Sequence, residues 1–142
     1  MGKYLKDIEI RNHHSVTKNG LLEDARNLSK DFQIIESYFN KRLPKKMEIG
    51  NNIWRFIIWL TPIETSDKKT EVVGLCQDYY AFVDFKKILT LNYEERIKYL
   101  LDIFIVGIEK CCEVNYYNNK IFRELYHEMN EAIENKTFFG NE

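Results

Sequence analysis

At 142 residues, with 44% hydrophobic and 14% aromatic side chains, the chain carries enough apolar material for one packed core and falls outside the disordered class. A net charge of −1 gives no general attraction to nucleic acid, so none is expected as a partner, while 30% charged residues suit a water-facing surface. No apolar run approaches the roughly 18 residues that span a bilayer. The N-terminus lacks a signal-peptide hydrophobic region, and Lys6 stands where a myristoylation signal needs Ser or Thr, so a cytoplasmic protein without membrane contact is the expectation.

In chain order, Tyr4–Arg11 predicts a first strand, with Ile8 and Ile10 on one face and Asp7, Glu9 and Arg11 on the other. After a polar loop from Asn12 to Gly20, the positions Leu21, Ala25, Leu28, Phe32, Ile35 and Phe39 fall at helical spacing and predict a helix running to Leu43, where Pro44 stops it. Met47–Ile49 reads as a short strand before the turn residues Gly50-Asn51-Asn52. Ile53–Leu60 holds two tryptophans, three isoleucines and Phe56 with Arg55 as its only charge, which predicts a central strand covered on both faces. Pro62 and the run Glu64–Thr70 predict an exposed hairpin loop. Residues 71–85 form one long strand or two, with Gln77-Asp78 marking a bulge or a turn.

Asn92 and Glu95 then have capping-box spacing, and Ile97, Leu100, Leu101, Phe104, Ile105 and Ile108 continue as a helical apolar series. Only Asp102 is charged between Tyr99 and Ile108, so this helix is placed at the centre of the fold. A last helix begins near Asn118 on the stripe Phe122, Leu125, Met129 and Ile133, and the tail frays from about residue 136. The whole is one α+β domain spanning 1–142, in the order β-α-β-β(-β)-α-α. Its sheet is expected to be mostly antiparallel, of four or five strands with helices on one face, because the middle connections are too short for crossover helices.

Chemistry-bearing residues are sparse. Cys76, Cys111, Cys112, the His13-His14 pair and His127 lack the paired spacing of a zinc site, and Glu124 with His127 makes a single E-x-x-H where a di-iron bundle needs two and further glutamates. No metal, cofactor or catalytic residue is assigned. Charge is uneven: residues 1–70 carry 13 Lys/Arg against 9 Asp/Glu, whereas residues 71–142 carry 8 against 13. Lys41, Arg42, Lys45 and Lys46 answer a helix C-terminus, with contact to phosphate or nucleic acid the second reading. Glu124, Glu128 and Glu131 share a helical stripe, either a solvated face or an acidic surface that steers a basic partner. Of the nine tyrosines, the pairs Tyr79-Tyr80 and Tyr116-Tyr117 cannot both point inward from regular segments. Asp78, Tyr79, Tyr80, Tyr116, Tyr117, Glu124, Glu128 and Glu131 therefore constitute the expected partner-binding surface.

The series Val83-Asp84-Phe85-Lys86-Lys87-Ile88-Leu89, followed by Leu91, Glu94-Glu95-Arg96, Leu100-Leu101-Asp102 and Gly107, resembles the strand, V-D-F, short turn and late-glycine helix of small bacterial immunity proteins encoded beside polymorphic toxins. The helix over Phe122–Ile133 is similar to theirs, and the likeness covers roughly residues 71–135. It implies a stoichiometric inhibitor that binds a cognate toxin domain, with a basic nuclease-like domain the partner that an acidic surface would suit. Two alternatives stand beside it. One is a small enzyme whose site is assembled over the sheet from His13, Cys76, Tyr80 and Asp84; the other is a regulatory or interaction domain that dimerises through a sheet edge.

Overall fold

The computed structural model describes residues 4–63 and 70–136. Strands β1 (Asp7–Asn12), β2 (Arg55–Thr61), β3 (Thr70–Val73) and β4 (Cys76–Phe82) form one sheet in the spatial order β1-β2-β4-β3. Helices α1 (His14–Lys18), α2 (Leu22–Asn27) and α3 (Ser29–Arg42) fill the connection from β1 to β2, and α4 (Phe85–Ile88), α5 (Tyr93–Val114) and α6 (Lys120–Glu134) follow β4. The α+β class holds, with six helices and four strands among the described residues.

The expected antiparallel sheet is corrected. β1 pairs parallel with β2, β2 pairs parallel with β4, and only β3 against β4 is antiparallel. The reason lies in β3. It runs opposite to β2 along the far edge and turns at Gly74 and Leu75 into β4, so β4 lies parallel to β2 without any crossover helix. Gly74 holds φ at 64°, which an L side chain adopts only with strain, and that glycine rather than Gln77-Asp78 breaks the long strand in two.

Smaller differences have equally local causes. The predicted helix from Leu21 to Leu43 is divided at Leu28 between Asn27 and Ser29, poor interior helix formers, yet Ala25, Leu28, Phe32, Ile35 and Phe39 all stay buried as its stripe requires. Met47 and Ile49 bury their side chains without forming a strand, although the Met47 carbonyl accepts from the Leu5 amide at 2.7 Å. The loop expected between Asn12 and Gly20 contains α1, capped by His13, whose ring accepts from the Ser15 amide. The loop over Glu64–Lys69 and the tail beyond Lys136 lie outside the described residues; Thr70 opens β3.

α5 is the central helix. Both halves of its capping box form: the Glu95 amide donates to Asn92 Oδ1 at 2.9 Å and the Asn92 amide to Glu95 Oε1 at 3.1 Å. The helix lies over β2 and β4 so closely at Gly107 that a Cβ there would sit 2.7 Å from Ile58 Cδ1 and 3.1 Å from Tyr79 Cδ2. α3 packs on β1 and α5, with Phe39 and Phe104 meeting edge to face at 4.9 Å, and α6 reaches the sheet through Phe122 against Phe56. The buried hydrophobic side chains make one continuous cluster, with Ile57, on the other face of β2, outside it. Trp54 is only half-buried, held between Lys6 and Arg55, and is not part of that core.

Candidate functional site

Strand alternation divides the sheet's residues into two sets. Ile8, Phe56, Ile58, Leu60, Gln77, Tyr79 and Ala81 point toward the helices and are buried. The opposite face carries Asp7, Glu9 and Arg11 from β1, Arg55, Ile57 and Trp59 from β2, Cys76, Asp78 and Tyr80 from β4, and Glu71 and Val73 from β3. The expected cover on both faces of β2 is met only in part on this one: Ile57 and Thr61 are buried, whereas Arg55 and Trp59 are half-buried. α1 packs against β2, and its N-cap His13 reaches this side, with its ring edge-on to Trp59 at 6.3 Å and to Tyr80 at 5.7 Å.

The register ranks these residues in rows across the sheet. Asp7, Arg55 and Cys76 stand abreast, then Glu9, Ile57, Asp78 and Glu71, then Arg11, Trp59 and Tyr80. On the β1 and β2 half the charges cancel. Arg55 grips Asp7 with two hydrogen bonds of 2.6 and 3.1 Å and reaches Glu9 at 3.2 Å, while Arg11 pairs with Glu9. The β4 and β3 half is different. Trp59 Nε1 donates to Asp78 Oδ2 at 2.9 Å, and the Tyr80 hydroxyl donates to Glu71 Oε1 at 2.5 Å. Both carboxylates are thus answered by neutral donors, and among the described residues neither has a cation at ion-pair distance. Asp78 Oδ1 is buried with no hydrogen-bond partner, an arrangement that costs free energy until something fills it.

Burial sets the protonation of the cluster. It pushes the Asp78 carboxyl up, against the opposing Trp59 hydrogen bond, with the Glu71 charge adding to the rise and Arg11 reducing it. It raises the Cys76 thiol, with Asp78 adding to the effect, and it raises the Tyr80 hydroxyl, whose bond to Glu71 works in the same direction. It lowers His13, helped by the charges of His14 and Lys18. The thiol, phenol and imidazole are therefore neutral near pH 7, and the face offers hydrogen bonds, aromatic surface and carboxylates rather than an activated nucleophile. His13 Nδ1 lies 2.8 Å from Ser15 Oγ, but that hydroxyl is buried against Thr61 Oγ1 at 2.9 Å, so it is spent inside the structure. Cys111 and Cys112 belong to α5 and are buried, and burial pushes the Cys112 thiol up to about 12.

The sequence-predicted surface is dispersed. Asp78 and Tyr80 lie together on the open face, but Tyr79 faces α5 and is buried, so it cannot meet a partner. Tyr116 is 98% exposed at the corner after α5, and Tyr117 lines an open groove of about 580 Å³ with Val106, Glu109, Glu113 and Asn119. Glu124, Glu128 and Glu131 are exposed on α6, whose Phe122 faces the sheet, so they lie on the far side of the helical layer from Asp78. Glu128 is engaged there by the Tyr38 hydroxyl at 2.5 Å and by Arg42 at 3.5 Å. Of the enzyme-like set, His13, Cys76 and Tyr80 share the open face, whereas Asp84 is the N-cap of α4. Among the described residues no three His, Cys, Asp or Glu side chains gather to hold a metal ion, and no helix there is long and apolar enough to cross a membrane.

Sequence reasoning missed Trp59, Glu71 and the Arg55–Asp7–Glu9 group as site residues. A signal existed for the last: a lone arginine in an apolar strand needs carboxylates, and the outward face of β1 supplies two. No protein-family model, no curated protein and no solved structure matches the chain.

Proposed function

We propose that this protein is a stoichiometric inhibitor of the immunity type, which neutralises a cognate toxin domain by direct binding through the open face of its sheet. One observation carries the reading. The β4 and β3 half of that face sets Trp59 and Tyr80 beside two carboxylates, Asp78 and Glu71, that no cation of the described chain neutralises. Tryptophan and tyrosine give large contact area at small entropic cost, and such residues dominate interface energetics. Unneutralised carboxylates speed encounter with a basic partner and acquire their ion pairs only in the complex. The exposed glutamates of α6 add long-range attraction from the other side of the molecule.

Co-expression with the toxin domain encoded by the adjacent gene tests the proposal. Cells should survive and the two proteins should co-purify in equimolar amounts. Death of cells that contain abundant folded protein, or failure to co-purify, would overturn it.

A further inference from the structure

The two edges of the sheet are finished differently. Along β1, side chains of α3 occupy the backbone: Asn40 Oδ1 accepts from the Ile8 amide at 2.9 Å, Asn40 Nδ2 donates to the Ile8 carbonyl at 2.9 Å, and Glu36 Oε2 accepts from the Ile10 amide at 2.7 Å. A strand edge treated this way cannot accept a further strand. β3 has no counterpart. Among the described residues no helix side chain bonds its outer backbone, and Val72 and Val73 are 56% and 55% exposed, with Leu75 at 39% beside them. A hydrophobic edge that none of the described helices closes, in a chain that closes its other edge, is a place where another strand can add.

We infer that β3 is a docking edge for an extended segment of the protein partner, a segment with basic side chains on the side of Glu71 and apolar ones on the side of Val72. The inference rests on the protein-binding role proposed above and adds its geometry. Alternation fixes the two sides: Glu71 pairs across to Asp78 on the open face, while Val72 pairs to Gln77 on the helical face. A strand laid on β3 would therefore present every second residue to Glu71 and, one strand further in, to the unpartnered Asp78 oxygen. A second copy of this chain fits poorly. Antiparallel pairing of two β3 strands would oppose their acidic halves, and a four-residue edge buries far less than the roughly 1,200 Å² of a stable interface.

The test uses the isotope-labelled protein and two blocked heptapeptides, one alternating valine with lysine and the other valine with glutamate. The lysine peptide should shift and protect the amides of Thr70–Val73, and the glutamate peptide should not. In the double variant Val72→Lys, Val73→Lys, at two exposed sites and with its fold checked by circular dichroism, affinity for the lysine peptide should fall at least tenfold. Equal binding of both peptides, shifts confined to other residues, or no binding by either at millimolar concentration would overturn the inference. So would a dimer of the free protein that the double variant dissolves, since the edge would then belong to a second copy. Rescue of toxin-expressing cells by the double variant as well as by the parent would remove the docking edge and leave the inhibitor reading standing. Failure of the parent to rescue would remove that reading while leaving the peptide result to be judged by itself.

Discussion

The two faces of the sheet are made from the same strands with the same two-residue alternation, yet they are held by different physics. On the helical face, Ile58 and Tyr79 meet α5 at van der Waals contact, and Gly107 has no room for a side chain; shape decides what fits there. On the open face, Arg55, Asp7, Glu9, Trp59, Asp78, Tyr80 and Glu71 are joined by hydrogen bonds between side chains, and one carboxylate oxygen stays unanswered. The comparison separates stability from recognition: substitutions on the first face should unfold the protein, and those on the second should spare the fold and alter binding.

The largest expected effect tests the covered side. Phe104, 1% exposed and edge-on to Phe39, should cost about 3–5 kcal/mol when changed to alanine, read from the urea midpoint. A loss below about 1 kcal/mol would mean that α5 does not form the core. A smaller effect belongs to the closed edge. Asn40→Ala removes both hydrogen bonds to Ile8 and should cost about 1–3 kcal/mol, with faster amide exchange at Ile8. Unchanged exchange there would contradict the edge-closing role.

The smallest effect concerns pH. Burial raises the Glu36 carboxyl, with Glu9 and Asp7 adding to the rise and the Ile10 amide and Arg11 opposing it, and burial raises Asp78 as described. A carboxyl held above its ordinary value binds its proton more tightly in the native state than in the unfolded chain. Its contribution to stability is therefore fully present below the ordinary carboxylate range and is lost as pH rises through the raised native value. The double variant Glu36→Gln, Asp78→Asn should show a flatter stability profile than the parent between mildly acidic and neutral pH. A steeper profile would contradict the assigned desolvation.

The contrast between the faces also explains what could be read from sequence. α5 was legible because its signals are local: Asn92 and Glu95 cap it, and its apolar residues recur at helical spacing. That Tyr79 and Tyr80 do not both point inward was legible, but which one faces outward was not, and Tyr79 was placed on the binding surface although it is buried. The parallel pairing of β2 and β4 was not legible, because it depends on β3 taking the far edge, which is a property of the sheet and not of any segment. The open face was hidden for a related reason. Ile57 and Trp59 are as apolar as Phe56 and Ile58, and nothing within the segment tells that Trp59 bonds Asp78 across on β4. Spacing on α6 likewise found exposed glutamates but could not reveal that they lie across the helical layer from Asp78.

The most direct measurement is the affinity of the toxin domain for three proteins: the parent, a Glu71→Ala, Tyr80→Ala variant of the open face, and a Glu124→Lys, Glu128→Lys variant of α6. The open-face variant should keep its fold and bind at least tenfold more weakly through faster dissociation. The α6 variant should only associate more slowly, by an amount that shrinks as salt rises. Parental affinity in the open-face variant, or faster dissociation confined to the α6 variant, would contradict the account.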